Sequence, residues 1–300
     1  MIYPKLIIFI IREILVNFIG YKMGVRSFLK RSLINNMARK IEVDLYDKGP
    51  KHSKNIKDHL HENNIEIKNK NNFLEMGPGG SILHGIHKIL DGWNKYIAVD
   101  TFPSQIWSKY PQDLYSRFTS ELDNNLKNKA NEILLSSQNE EGPIFYFGTQ
   151  GLFNTDFNSK YTAGSIDFIY TWGVLEHIDD PKQVFIKNYE LLSDLGYVLH
   201  VIDPHPHTWS RLRNPYIFLT IPQWLWNLMY KGRGFINRVR ASSYEAWAKQ
   251  AGFEIISNKK EISNFNISNI IKSINETIKY TDINDLLTDR LYLFLKKSSR

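Results

Sequence analysis

Short apolar runs alternate with longer stretches of helical periodicity along most of this chain. Phe73–Met76, "KYIAVD" at 95–100, "PIFYFG" at 143–148, "SIDFIYT" at 165–171 and "GYVLHVID" at 196–203 are brief and rich in β-branched and aromatic residues, which predicts five strands. Between them, "SKNIKDHLHENNI", Ser81–Leu90, residues 104–137 and "PKQVFIKNYELLSD" predict helices. In the last of these, Val184, Phe185, Tyr189, Leu191 and Leu192 recur at helix-like spacing. Strands alternating with helices predict a parallel α/β sheet covered on both faces.

Residues 204–240 break the rhythm: they hold six basic residues, no acid, and the run "YIFLTIPQWLWNLMY". The alternation resumes with "SSYEAWAKQAGFEII". There, Ser242 with Glu245 reads as a capping box, Gly252 as a helix stop and "FEIIS" as a sixth strand. "DRLYLFLKK" is a seventh, and residues 261–289 before it read as partly helical.

The 300 residues suffice for one large or two modest domains, and 42% hydrophobic with 23% charged residues is a globular composition. The absence of cysteine excludes disulfides, thiolate metal sites and a cysteine nucleophile, and fits a cytoplasmic protein. Residues 1–40 carry eight Lys or Arg against one acid, Glu13, so the net charge of +7 resides in an N-terminal arm. The arm is apolar in "KLIIFIIREILVNFIG", but Arg12 and Glu13 interrupt it far short of the ~20 residues a membrane span needs. No small-residue cleavage pattern follows it. Two readings stay open: a helix packing its apolar side on the domain, or a basic amphipathic helix at an anionic membrane surface, which would place the protein peripherally at the inner face. Nucleic acid suits the arm less, because it is rich in Ile and Leu rather than interleaved aromatics and arginines. The chain thus divides into an arm, 1–40, and a domain, 41–300, whose residues 204–240 form an insertion or lid.

"FLEMGPGGSILHG", 73–85, carries the first chemical signal. Gly77, Gly79 and Gly80 let a strand turn tightly against a ligand, and Asp100, at the end of the next strand, can accept both hydroxyls of a ribose. Alone, the pair fits a dinucleotide or S-adenosylmethionine. Two details favour the second. The last glycine of the nicotinamide pattern G-x-G-x-x-G falls on Ile82, and the strand ends on an acid, Glu75, which would repel a pyrophosphate but help to orient an ammonium group.

"LEMGPGGS" resembles the first motif of class I S-adenosylmethionine-dependent methyltransferases, with Ser81 where a third glycine usually stands. "SIDFIYTWGVLEHIDDPKQVF", "LLSDLGYVLHV" and "YEAWAKQAGFEI" are similar to later segments of that superfamily, in the same order across residues 72–258. The resemblance implies a Rossmann-like seven-stranded sheet with its last strand antiparallel. It implies Glu75, Gly77 and Gly79 under the methionine part of S-adenosylmethionine, Asp100 on the ribose, Thr171 beside the cofactor and Thr149 or Gln150 near the adenine.

An oxygen or nitrogen acceptor also calls for a base. His177 in "LEH" is structural or substrate-facing. Asp203, His205 and His207 in "IDPHPHTW" follow strand five at the carboxyl edge, where ligands bind in open α/β sheets, and can serve as base, metal ligands or loop supports. Some relatives bind a divalent metal through E-x-x-E-H; here Gly173 replaces the first glutamate, so no metal is assigned. The aromatics of 204–240 with Arg211, Arg213, Lys231, Arg233, Arg238 and Arg240 suit an amphipathic, phosphate-bearing acceptor. The expected activity is O-methylation of a small or lipid-linked metabolite such as a surface sugar. The rivals are a nucleic-acid methyltransferase and a non-catalytic membrane-docking relative.

Overall fold

The computed structural model describes residues 4–18, 51–78, 83–101, 123–136, 142–148, 151–231 and 235–298. Seven strands form one sheet: β1 (Asn72–Met76), β2 (Lys95–Val99), β3 (Ile144–Phe147), β4 (Ile166–Trp172), β5 (Leu192–Ile202), β6 (Phe253–Ile262) and β7 (Thr288–Lys297), in the order β3-β2-β1-β4-β5-β7-β6. The first five are mutually parallel, and β7 runs antiparallel to both β5 and β6, so six strands point one way as expected. The strand order reverses between β1 and β4, which opens a crevice at their carboxyl ends.

Alternation along each strand divides the core in two. Leu74 and Met76 point with Ile97, Val99 and Ile169 towards the face covered by Phe157, Val184, Phe185, Tyr244 and Ala248. These come from α5 (Thr155–Lys160), α6 (Pro181–Leu191) and α8 (Ala241–Ala251). Phe73, Tyr96, Ala98, Phe168 and Tyr170 point to the opposite face. There they meet Ile56 of helix α2 (51–62), Ile86 and Ile89 of α3 (Leu83–Leu90), and Ala130 and Ile133 of α4 (Asn124–Ser136). Of the helix expected over 104–137, residues 104–122 and 137 lie outside the described residues.

Two local expectations change. Strand five begins at Leu192, directly after α6, and pairs first with Ile166 before a bulge brings Tyr197 opposite Phe168. Asp167, inside that bulge, accepts the Asn72 N–H at 3.0 Å and the Ser193 hydroxyl at 3.2 Å, which ties the irregular step to β1. The expected capping box at Ser242 does not form. Ser242 is already inside α8; its N–H donates to Asp285 at 2.9 Å, its hydroxyl donates to the same carboxylate, and Glu245 pairs instead with Lys260 at 2.7 Å. A carboxylate distant in sequence can serve a helix start as well as a local one. Gly252 ends α8 with φ +103°, as its glycine suggested.

The insertion folds as 3-10 turns His207–Arg211 and Pro215–Thr220 followed by α7 (Gln223–Tyr230). Its Trp209, Phe218, Trp226 and Met229 build a third apolar cluster with Ile267, Ile270 and Leu286, so the two long irregular segments cover one another. Helix α1 (Pro4–Leu15) joins this cluster: Phe9 meets Trp209 at 4.7 Å between ring centres, and Asn17 donates to the Leu228 carbonyl at 2.9 Å. No helix among the described residues is long and apolar enough to cross a membrane.

Two of the six cations assigned to an acceptor have another occupation. Arg238 and Arg240 are 3% and 1% exposed. Arg238 donates to the Ile221 carbonyl and to Gln223, both at 2.5 Å, and stacks on Trp226. Arg240 donates to the carbonyls of Pro204 at 2.9 Å and Leu286 at 3.4 Å. They satisfy irregular backbone that no helix or strand would satisfy, and so hold the insertion to the sheet. Arg233 lies outside the described residues. Arg238→Ala should therefore cost about 3 kcal/mol of stability, because it strands several buried acceptors at once. Urea unfolding measures this, and a loss below about 1 kcal/mol would contradict the assigned role.

Candidate functional site

The crevice is built from strand ends. Gly77 follows β1, donates its N–H to the Val99 carbonyl at 2.8 Å and has φ +68°. A Cβ there would stand 2.5 Å from Val174 Cγ2, so both the backbone angle and the space demand glycine. Asp100 follows β2; its N–H donates to the Phe147 carbonyl at 3.0 Å and its carbonyl accepts the Gly151 N–H at 2.9 Å. The register sets Met76 beside both Val99 and Thr171, so Gly77 has Asp100 on one side and the end of β4 on the other. Asp100 is buried. Gly79, Thr149 and Gln150 lie outside the described residues.

Two side chains assigned to the cofactor are engaged elsewhere. Glu75 points into the face covered by α2 and α3, where Tyr96 OH donates to it, His84 Nδ1 lies at 2.5 Å and His52 Nδ1 at 3.6 Å. Burial alone would raise this carboxyl, but the donors that meet it, His84 first, outweigh burial and hold the group ionised. Burial drives His84 down to about 4, so it donates as a neutral imidazole. Glu75 thus clamps the end of β1 to the helix after the glycine turn. Thr171 is fully buried, with Oγ1 2.9 Å from His200 Nδ1, and adjoins Gly77 through its backbone.

A second cluster starts from Val174, the residue against Gly77. The 3-10 turn Leu175–His177 follows it directly. Asn237, from the segment closing the insertion, pins this turn: its side chain donates to the carbonyls of Leu175 at 2.8 Å and Ile178 at 2.9 Å, and its N–H donates to the Glu176 carbonyl at 2.7 Å. Glu176 is 1% exposed, and neither carboxyl oxygen has a hydrogen-bond partner. Burial pushes its carboxyl up to about 8, with Asp203 adding to the rise. The N–H groups of Glu176 and Asp203 pull the other way, but neither makes a bond of ordinary geometry. At neutral pH Glu176 is therefore mostly protonated. Gly173 leaves the space beside it open: a Cβ there would lie 3.5 Å from Glu176 Oε1 and 3.8 Å from Asp203 Oδ2.

Three predicted histidines gather at that space. His207 and His205 have ring centres 4.0 Å apart, and His177 lies 5.3 Å from His207. His207 Nε2 is 3.2 Å from the Asp203 carbonyl. A carbonyl only accepts, so Nε2 carries the proton and Nδ1 the lone pair. Burial, then His205 and His177, push His207 down to about 3, which keeps that lone pair open at neutral pH. Arg290 donates to Asp203 at 2.5 Å and fixes the end of β5. Ligand atoms of Glu176, His177 and His207 lie within 4.8 Å of one another, a spacing a divalent cation could span. His52, Glu75 and His84 meet the same criterion, but there the carboxylate already holds protein donors. Chemically, the cluster offers a neutral imidazole acceptor beside a protonated carboxyl. The sequence signalled the histidines; Glu176 drew notice only as a metal-ligand neighbour, and Asn237 gave no signal.

The raised Glu176 carboxyl has a pH signature. Folded, the group holds its proton up to about 8; unfolded, it releases it near 4.5. Stability therefore falls as pH rises through that window. Glu176→Gln removes the loss, so its stability advantage should widen between about pH 5 and 8 in urea titrations of chelator-treated protein. A gap that stays constant with pH would contradict the buried, protonated state.

A sequence profile described as a methyltransferase domain matches residues 51–258. A search of curated proteins gives no match. Solved structures similar to the chain include an S-adenosylmethionine-dependent methyltransferase from Clostridium acetobutylicum ATCC 824, at 13% identity and TM-score 0.42, covering 91% of this chain and 100% of that one. Another, from Mesorhizobium loti, has 12% identity and TM-score 0.42, covering 80% and 96%. Superpositions this loose carry no weight, and the assignment stands on the profile, which spans more than half of the chain and encloses both the glycine turn and the histidine cluster. The chain belongs to the methyltransferase-domain family and is a class I S-adenosylmethionine-dependent methyltransferase.

Proposed function

We propose that this enzyme methylates a hydroxyl oxygen of a small or lipid-linked metabolite, such as a surface sugar. The observation that carries this reading is the neutral His207 imidazole, lone pair open, beside the protonated Glu176 and one short turn from the cofactor crevice.

The residues present fit the cofactor. Gly77 gives a turn without a side chain, and Asp100 offers a buried carboxylate at the strand end for a ribose diol. Gly79, Thr149 and Gln150 complete this reading at the methionine and adenine ends. Glu75 acts by fixing the turn, and Thr171 by its backbone. S-adenosylmethionine supplies an electrophilic methyl group on a sulfonium sulfur.

The chain's residues hold the acceptor hydroxyl in line and take its proton. As the O–C bond forms and the C–S bond breaks, the oxygen becomes a far stronger acid than an imidazolium. His207 Nδ1 can then accept the proton although its basicity at rest is low, and His205, in ring contact, passes it towards solvent. His177 and Glu176 shape the wall against which the acceptor lies, and Glu176 donates a hydrogen bond to it. A nucleic-acid acceptor gains little support, since Arg238 and Arg240 are buried and cannot ring the pocket.

The test is transfer of labelled methyl from S-adenosylmethionine into fractionated cell extract. Label should enter a glycolipid or small-metabolite fraction as an alkali-stable ether. His207→Ala should lower kcat by on the order of a hundredfold or more with S-adenosylhomocysteine affinity unchanged. Label in RNA, or unchanged turnover in the variant, would contradict the proposal.

A further inference from the structure

The two faces of α1 have opposite surroundings. Phe9, Glu13 and Asn17, four residues apart, are buried against the insertion. Ile7, Ile8, Ile11 and Leu15 are exposed, Ile8 by 67%, and at about 100° per residue they fall within an arc of about 100°. Phe18 continues the exposed row. Lys5 and Arg12, both exposed, flank one side of it. The adjoining α7 adds Trp224, 68% exposed, and Leu228, whose carbonyl is the acceptor for Asn17. A solvated helix would place polar residues outward, and a helix of this composition would not leave its isoleucines in water.

We propose that the outer face of α1, with Trp224 and Leu228 of α7, docks on an anionic phospholipid bilayer. Charge selects this occupant. Glu13, the one acid in the described part of the arm, is turned inward and 2% exposed, and residues 204–240 contain no acid. A cavity of about 610 Å³ opens beside the first turn of α1, with Lys5, Arg211 and Arg213 as its cations and Leu6, Ile217 and Phe265 among its apolar lining, a setting for a lipid phosphate and the start of its chains. A second copy is disfavoured, because a twofold interface would set two patches of the same positive charge against each other. The exposed tryptophan suits the headgroup level, where an aromatic with a polar edge is favoured.

The surface also adjoins the chemistry. The 3-10 turn His207–Arg211 starts at the acceptor cluster and ends at the cavity, about 8 Å along its axis. Docking itself does not depend on the methyl-transfer reading, and its test uses no cofactor.

The full chain is floated with vesicles of phosphatidylcholine alone and of phosphatidylcholine mixed with phosphatidylglycerol. It should bind the anionic vesicles at least tenfold more tightly, and less so as salt rises. Ile8→Asp with Ile11→Asp should lower binding more than tenfold without moving the thermal transition, since these side chains face solvent. Arg211→Ser with Arg213→Ser should weaken binding to anionic vesicles by about fivefold per cation or more. Brominated lipids should quench the fluorescence of the wild type, and Trp224→Phe should remove most of that quenching. Absence of flotation, equal binding to neutral vesicles, unchanged binding in the isoleucine variant, or self-association without lipid binding would overturn the proposal.

Discussion

Val174 leaves no room for a side chain on Gly77, and the rest of the site depends on this contact. With φ +68° at Gly77 and 2.5 Å between the place of its missing Cβ and Val174 Cγ2, the end of β1 and the segment after β4 can approach only as backbone against side chain. From that contact the chain proceeds in both directions. Upstream, Glu75 clamps β1 to His84 and Tyr96 and so aims the turn. Downstream, Val174 leads into the turn that carries Glu176 and His177. The crevice and the histidine cluster are thereby fixed by one close approach at the topological switch of the sheet.

The cluster around Glu176 is costly by any structural standard. A carboxyl 1% exposed with no hydrogen-bond partner is destabilising unless it stays protonated, and burial makes it do so. The protein sets the neutral imidazole of His207 beside it, and holds the turn that bears it by Asn237 rather than by regular secondary structure. The insertion is part of the same arrangement. Its own aromatic cluster, with its irregular backbone satisfied from inside by Arg238 and Arg240, closes over the carboxyl ends of β4 and β5 and delivers Asn237 to the site.

Much of this was legible in the chain. Strand–helix alternation marks the sheet and the glycine turn at Gly77 marks a nucleotide-like cofactor, because periodicity and left-handed backbone leave local marks, and the ordered later segments point to S-adenosylmethionine. Histidines 177, 205 and 207 could be singled out by type and position, and the fold does bring them together. What stayed hidden was orientation. Alternation puts Glu75 on the face opposite Leu74 and Met76, yet the sequence does not name His84, Tyr96 and His52 as its partners. Arg238 and Arg240 look like surface cations until the insertion is seen to fold back on residues 263–287 and bury them. Ser242 loses its expected capping role to Asp285, a tertiary contact that local spacing cannot reveal.

The central claim is that the turn at Gly77 is the cofactor seat. Calorimetric titration of wild type and Gly77→Ala with S-adenosylhomocysteine tests it most directly, with circular dichroism to show that both are folded. The account predicts micromolar binding to the wild type, and a folded variant whose affinity falls at least tenfold because its Cβ must displace Val174 and strain the turn. A folded Gly77→Ala protein that binds as the wild type does, or a wild type that does not bind at all, would contradict it.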